Sequence, residues 1–293
     1  AGAALGRPEI VAIRLARALD AAGDAAGAEA ALREGIDGAA GGAPPPLYVA
    51  LGERLTAENR LDEAEAVYRR LSAAHLGSSA GPFRLGSLIA AQRRYDEARA
   101  QFQIGLARTP ENPAILRAAS IAASRDGDGA AAVRYAERLA AARPSAAAWF
   151  FLGATHERHA APGPAAEAYE KAIAASADHW PALNNLAMLR VAADPAAALS
   201  YAERAVAANG EVAAVFDTLG RARLANGDAA GATEAFARAV ALAPDAGPIR
   251  LGLAEALAAA GETARARAAI EESLALGLAA VDARTARALL ATL

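Results

Sequence analysis

The sequence predicts an all-α fold, a right-handed α-solenoid of about eight helix-turn-helix repeats closed by a C-terminal capping helix. Three observations lead to this prediction. Hydrophobic residues make up 55% of the chain and aromatic residues only 5%, so most of the apolar share is alanine, the strongest helix former. A leucine followed by a small residue recurs along the chain, and an alanine follows each pair at a fixed distance. Such a period indicates stacked repeats.

Three sequence positions, called slots here, define the repeat, and they recur together along the chain. Leucine takes the first slot at Leu15, Leu51, Leu85, Leu152, Leu186, Leu219 and Leu253, with Ala119 as the exception. The next slot is small in every case: Ala16, Gly52, Gly86, Ser120, Gly153, Ala187, Gly220 and Ala254. Eleven or twelve residues later come Ala28, Ala64, Ala98, Ala132, Ala165, Ala198, Ala232 and Ala266.

Each repeat is interpreted as two helices joined by a turn. Pairs such as Gly127-Asp128 and Gly227-Asp228 mark the turn, because glycine tolerates the left-handed conformation that closes a helix and aspartate caps the next one. The second helix begins near the shared alanine and carries a bulky residue four positions later. These bulky residues are Tyr68, Phe102, Tyr169, Phe236 and Ile270. Pro110, Pro144 and Pro244 then end the second helix of their repeats.

This pattern resembles the tetratricopeptide repeat (TPR), a helix-turn-helix unit of 34 residues. The resemblance covers nearly the whole chain and implies one solenoid over residues 1–293. The predicted repeats are 9–44, 45–78, 79–112, 113–145, 146–179, 180–212, 213–246 and 247–280. The first is lengthened by the loop "GAAGGAPPP", and in the sixth Asp194-Pro195 replaces the usual turn.

The two ends of the predicted solenoid differ. Residues 281–293 are expected to form the capping helix, with an apolar face and a charged face opposite. The apolar face holds Ala286, Leu289, Leu290 and Leu293, and the charged face Asp282, Arg284 and Arg287. Nothing comparable precedes Glu9, and we expect further sequence upstream of Ala1 in the natural polypeptide.

Composition argues against several function classes. The net charge is −3 and there is no block of like charges, which argues against a nucleic-acid footprint or a basic membrane-binding helix. With no cysteine, the chain has no disulfides, thiolate zinc sites or cysteine nucleophiles. No apolar run approaches the length of a membrane span, so direct membrane insertion is not expected.

No set of residues predicts catalysis, a metal or a cofactor. His156 and His159 flank Glu157 and could share a helix face, but no further ligand is placed to complete a zinc site. His156 also occupies a packing slot of the repeat, which favours a structural role. The segment "DGDGAAA" lacks the lysine of a phosphate loop and fits a turn between helices. The chain is therefore predicted to be non-enzymatic.

The TPR resemblance implies a concave wall made by the first helix of each repeat, where a protein or peptide segment binds. The expected groove residues are Phe83, Arg84, Arg117, Phe150, Phe151, Asn184, Asn185, Met188 and Arg221. Amides suit a peptide backbone, arginines suit carboxylates and aromatics suit apolar anchors. Acidic residues of the wall, Glu53, Asp217 and Glu255, lie mainly toward the ends. Phe150 and Asn185 also match residues that the family uses for packing.

The leading functional hypothesis is a non-enzymatic scaffold that binds a protein segment or assembles a multi-protein complex. The lysine-containing carboxylate clamp of chaperone-binding relatives is missing, since Lys171 is the only lysine and lies on a second helix. The segments "PALNNLAMLRVAADPAAALSYAERAV" and "VFDTLGRARLANGD" resemble bacterial TPR proteins of exopolysaccharide export and envelope protein sorting, which favours the periplasm over the cytoplasm. The alternative is the substrate-recruiting region of a larger glycosyltransferase or sulfotransferase.

Overall fold

The computed structural model describes residues 8–39 and 42–293, which form seventeen α-helices and no strand. The first helices of the repeats are α1 (Pro8–Ala21), α3 (Pro45–Ala57), α5 (Ala80–Ala91), α7 (Pro113–Arg125), α9 (Ala146–Arg158), α11 (Trp180–Arg190), α13 (Ala213–Ala225) and α15 (Gly247–Ala259). The second helices are α2 (Ala25–Asp37), α4 (Leu61–Ala74), α6 (Tyr95–Arg108), α8 (Gly129–Ala142), α10 (Pro162–Ala175), α12 (Pro195–Ala208), α14 (Ala229–Leu242) and α16 (Thr263–Ala275). The last helix is α17 (Ala280–Thr292).

The helices divide between two compact units, residues 1–143 and 144–293. Within each unit, a first helix packs against its own second helix and against the second helix before it. First helices of consecutive repeats also touch one another, as α3 and α5 do in the first unit and α13 and α15 in the second. Each unit therefore carries a side made of first helices, called here its first-helix face. A single solenoid over the whole chain, with the repeat boundaries given above, stays a prediction.

The turns inside the repeats follow the predicted chemistry. Gly127 and Gly227 have φ values of 88° and 81°, in the left-handed region that glycine tolerates best. Asp128 and Asp228 then cap the next helix, each accepting a hydrogen bond of 2.9 Å from the backbone N–H three residues on. These glycine-aspartate turns are confirmed.

Other turns reach a similar geometry without glycine. Arg93 and Ala160 have φ values of 64° and 55°, which the sequence did not signal. The turn of the sixth repeat differs again: Val191 is helical, and Asp194 at φ −148° caps α12 through Ala197 N–H at 3.1 Å. Asp194-Pro195 therefore provides a shorter connection, since proline fits the first turn of a helix.

The shared alanines are the points where helices approach most closely. All eight, from Ala28 to Ala266, have no exposed surface. The small residue of the first helix lies under the bulky residue of the second, as Gly220 does under Phe236. A Cβ atom placed on Gly220 would lie 2.7 Å from the Phe236 ring, too close for any side chain. The predicted packing register is confirmed at these positions.

The leucine slot fails in the first repeat. Leu15 was expected to pack inside, yet it is 50% exposed, whereas Leu186 and Leu219 are buried. Leu186 packs on residues of α10, the preceding second helix, and Leu219 on residues of α12. Among the described residues no helix precedes α1, so Leu15 lacks that packing surface.

The predicted capping helix is confirmed. Helix α17 buries Ala286 completely and packs Leu289, Leu290 and Leu293 on the apolar cluster of the last repeat. Arg284 and Arg287 are exposed on its other side. The cap therefore covers apolar surface of α15 and α16 with a helix whose outer face is charged.

Candidate functional site: the first-helix faces

The predicted groove residues belong to both units, and each unit is described by itself. Phe83 and Arg84 lie on α5 and Arg117 on α7, in the first unit. Phe83 is half-buried, with its ring centre 6.4 Å from that of Phe102. The guanidinium of Arg84 pairs with the Glu53 carboxylate at 2.8 Å, and Arg117 is exposed. The positive charge of Arg84 is thus partly neutralised within the protein.

A cleft of about 250 Å³ opens beside Arg84, between α3, α4 and α5. Its polar lining comes from Glu53, Thr56, Arg84 and Ser87, and its apolar lining from Leu88, Ala91 and the ring of Tyr68. We call it the Tyr68 cleft. Burial raises the pKa of the Tyr68 hydroxyl, so this group stays a neutral hydrogen-bonding phenol.

In the second unit, Phe150 and Phe151 lie on α9. The Phe150 ring packs 5.7 Å from Tyr169 and 5.3 Å from His179, centre to centre, so much of this side chain serves the core. Phe151, its neighbour, is half-buried. The packing role considered for Phe150 therefore has direct support.

Tyr169 organises a polar network on this face. Its hydroxyl donates to Glu157 Oε2 at 2.6 Å and accepts from Asn185 Nδ2 at 3.0 Å. Burial, together with the nearby Glu157 carboxylate, raises the pKa of Tyr169 well above its usual value. Asn184 Nδ2 lies 3.4 Å from Asn185 Oδ1, at the long end of hydrogen bonding. The structure thus joins both predicted asparagines in one network.

Asn184 differs from Asn185 in the hydrogen bonding of its side-chain carbonyl oxygen, Oδ1. Asn184 Oδ1 is buried and has no hydrogen-bond partner among the described residues. A buried acceptor left unpaired costs roughly 1–3 kcal/mol. Asn185, by contrast, is held by Tyr169. Because the residue as a whole is only half-buried, rotation of the Asn184 side chain would bring Oδ1 to the surface, where an N–H group of a bound segment would satisfy it.

Met188 and Arg221 complete the predicted set. Met188 is 40% exposed on α11. Arg221 on α13 pairs with Asp217, with N–O distances of 3.0 and 3.2 Å. Burial and the nearby acidic groups Asp217 and Asp282 raise the pKa of Glu255 on α15, while Arg221 opposes them. The groove arginines Arg84 and Arg221 are therefore paired with acidic neighbours.

The histidine pair does not form a metal site with other described side chains. His156 is half-buried near the end of α9, and His159 is the C-cap residue of that helix. Across residues 8–39 and 42–293, no group of three or more His, Asp or Glu side chains is placed to hold a metal ion.

In the described part of the chain, no helix combines the length and the hydropathy that crossing a bilayer requires.

Sequence reasoning missed the tyrosine hydroxyls. It treated Tyr68 and Tyr169 as bulky packing residues, whereas Tyr68 lines a cleft and Tyr169 organises a network. A signal was present twelve residues earlier, where Thr56 and Glu157 are polar. The corresponding positions before Phe102 and Phe236 are apolar, Ala90 and Leu224.

Known protein families match two segments of the chain. Two family models described as tetratricopeptide repeat match residues 49–113 and residues 223–293. Both segments begin within the first helix of a repeat. The segment 49–113 contains Glu53, Tyr68 and Arg84. The comparison with curated proteins gave no match.

Solved structures share the fold at low sequence identity. The crystal structure of the APC/C hetero-tetramer Cut9-Hcn1 matches with a TM-score of 0.59 and 17% identity, over 94% of this chain. This chain spans 55% of the length of that one. YrrB, described as a TPR protein with an unusual peptide-binding site, matches with a TM-score of 0.51 and 14% identity, over 61% of this chain and 93% of YrrB.

A third structure, PilF of Pseudomonas aeruginosa, has a TM-score of 0.53 and 15% identity. The match covers 68% of this chain and 92% of PilF. At such identities these likenesses concern the fold alone. Together with the family matches and the helix-turn-helix packing, they lead to one conclusion: the chain is a tetratricopeptide-repeat protein, an all-α solenoid of these repeats.

Proposed function

We propose that this protein is a non-enzymatic scaffold that binds an extended protein segment along its first-helix faces. The observation that carries the proposal is the pair Asn184 and Asn185. Tyr169 fixes Asn185 in place, while the buried carbonyl of Asn184 lacks a partner among the described residues. An extended peptide offers backbone N–H groups that would meet this need.

The side chains around the asparagines fit the same kind of partner. Phe151 and Met188 supply apolar surface on neighbouring first helices, and Met adapts to varied shapes. The first-helix face of the first unit, taken by itself, carries the exposed Arg117. The pairing of Arg84 and Arg221 with acidic neighbours leaves these faces closer to neutral than the sequence suggested. The partner is therefore expected to be apolar with acidic positions, rather than strongly acidic.

The likeness to YrrB supports the proposal at the level of the fold, since that protein is described as having a peptide-binding site. We also propose a narrower setting, a bacterial envelope or exopolysaccharide assembly in the periplasm. The support for this setting is the resemblance of residues 181–206 and 215–228 to bacterial TPR proteins of those systems.

The test is selection of binding segments from a random peptide library displayed on phage, followed by site-specific photo-crosslinking of the selected peptides. We expect crosslinks to residues of α9 and α11 around Asn184, and weaker binding by Asn184→Ala. Asn226→Ala provides a matched control, because the amide of Asn226 donates to backbone carbonyls away from these residues. Crosslinks confined to second helices, with full affinity in Asn184→Ala, would reject the proposal.

A further inference from the structure

The Tyr68 cleft and the Tyr169 network occupy equivalent positions in the two units. A shift of 101 residues carries Tyr68 onto Tyr169, Leu88 onto Leu189 and Ala91 onto Ala192. The same shift carries the other cleft residues onto different ones: Glu53 onto Ala154, Thr56 onto Glu157, Arg84 onto Asn185 and Ser87 onto Met188. The apolar residues are thus kept and all the surrounding polar ones are changed.

The substitutions account for the open space beside Tyr68. At Tyr169, Glu157 and Asn185 both reach the hydroxyl, and Met188 is a long side chain beside them. At Tyr68, the shorter Thr56 and Ser87 stand in place of Glu157 and Met188. Arg84, in place of Asn185, pairs with Glu53. About 250 Å³ is left open.

The polar groups of the Tyr68 cleft are mostly engaged. The Thr56 hydroxyl donates to Gly52 O at 2.7 Å, and the Ser87 hydroxyl donates to Phe83 O at 2.8 Å. Arg84 and Glu53 neutralise each other within the lining. A charged group entering the cleft would lose hydration without meeting an unpaired countercharge from Arg84 or Glu53, whereas an uncharged group carries no such cost.

The size of the cleft limits the occupant further. Sites for drug-sized ligands have volumes of roughly 300–1,000 Å³. At about 250 Å³ the Tyr68 cleft is smaller, on the scale of a single large side chain. The ring of Tyr68, with Leu88 and Ala91, offers the apolar surface that an aromatic ring packs against.

We propose that the Tyr68 cleft is a specificity pocket that takes one uncharged aromatic side chain. This inference rests on the proposed function, since it assigns that side chain to an extended segment bound on the first-helix face of the first unit. It adds that a segment bound there carries an aromatic residue where it crosses α3 and α5.

The test uses benzyl alcohol, benzoate and benzylamine, three probes of similar size that are neutral, anionic and cationic. Each is titrated into the full chain, and backbone amide shifts of Thr56, Leu88 and Ala91 are followed by NMR. We expect benzyl alcohol to bind with a dissociation constant on the order of 1 mM. The two charged probes should bind at least about fivefold more weakly, because each loses hydration of its charge while Arg84 and Glu53 are already paired with each other.

Two variants locate the binding. Ser87→Met introduces the residue found at the equivalent position of the second unit, and Ala91→Leu fills the cleft from another side. Both positions are exposed, so the fold should be kept, and circular dichroism checks it. Each variant should weaken benzyl alcohol binding about tenfold. Glu203→Ala, at an exposed position of the second unit, should leave it unchanged.

Tighter binding of benzoate than of benzyl alcohol would overturn the inference, because Arg84 would then act as an anion site. Absence of amide shifts at the cleft, or equal affinity in both filling variants, would overturn it as well. These outcomes are separate from the proposed function, since library-selected peptides that still depend on Asn184 would show that segment binding persists without a pocket at Tyr68.

Discussion

At the scale of single residues, small side chains determine how closely the helices pack. Ala232 has no exposed surface and lies in a cluster with Phe236 and Ala256, where α14 meets the neighbouring first helices. Ala230, two residues earlier on the same helix, is exposed. The same substitution at these two positions therefore has different consequences.

We predict that Ala232→Leu lowers the free energy of unfolding by about 1–3 kcal/mol, because three extra carbon atoms must be accommodated at a closed helix crossing. Ala230→Leu should change it by less than about 0.5 kcal/mol. Chemical denaturation, monitored by circular dichroism, gives both values. Equal midpoints for the two variants would mean that the repeat register is wrong.

The asparagines and tyrosines show how far sequence reasoning reaches at this scale. Asn185 was expected to meet a partner or to pack, and the structure shows it bonded to Tyr169. Its pairing depends on a residue sixteen positions away on another helix, which no local pattern reveals. Slots such as the shared alanines were predictable because the same steric demand recurs in every repeat.

At the scale of helices, N-cap hydrogen bonds and ion pairs with the neighbouring repeat stabilise the starts of second helices. Asp228 caps α14 by accepting from Gly231 N–H at 2.9 Å, whereas Glu262, the N-cap residue of α16, makes no such hydrogen bond. Arg60, the N-cap residue of α4, pairs with Glu29 of α2 at 2.5 Å. Caps and ion pairs thus stabilise different helix starts.

We predict that Asp228→Ala lowers the free energy of unfolding by about 1 kcal/mol, since one helix-terminal N–H loses its acceptor. Glu262→Ala is the control at the corresponding position. It removes only an exposed ion pair with Arg265, which contributes roughly 0–1 kcal/mol and is weakened by salt. Equal losses in both variants at high salt would contradict the capping role of Asp228.

The Glu29–Arg60 pair predicts a pH dependence. Hydrogen bonding from Arg60, supported by Arg33 and opposed by burial, lowers the pKa of Glu29 from 4.5 to about 2. A lowered folded-state pKa gives stability that is present above the unfolded-state value and lost as pH falls. The free energy of unfolding should therefore decrease between about pH 4.5 and pH 2.

Glu29→Gln should lower the free energy of unfolding at neutral pH by about 1–2 kcal/mol. It should also flatten the acid slope, because the variant has no carboxyl group to protonate at this site. Glu203→Gln, at an exposed position of α12, is the matched control. Urea denaturation across the acid range gives both quantities, and an unchanged slope in Glu29→Gln would contradict the assignment.

At the scale of the whole molecule, repetition made the fold predictable and left the partner unspecified. Helix starts such as Pro45 and Pro113 follow from the period of the sequence. The Tyr68 cleft does not follow from this period, because its volume depends on which side chains of two adjacent repeats are short. On such a scaffold, binding specificity resides in the positions at which the repeats differ from one another. Arg84 and Asn185 take the same position in their repeats and differ in this way.

The central claim is that a protein segment binds to the first-helix faces, and the affinity of one selected peptide for two variants tests it most directly. Phe151→Ala removes an aromatic side chain from α9, whereas Arg267→Ala changes an exposed residue on α16, a second helix. A binding contribution of about 2 kcal/mol from an aromatic at an interface centre corresponds to roughly thirtyfold in affinity.

Fluorescence anisotropy with the labelled peptide measures this difference, once circular dichroism has shown equal helicity for the two variants. The proposal predicts about thirtyfold weaker binding by Phe151→Ala and parental affinity for Arg267→Ala. Parental affinity for Phe151→Ala, together with a loss of binding by Arg267→Ala, would contradict it and place the interface on the second helices.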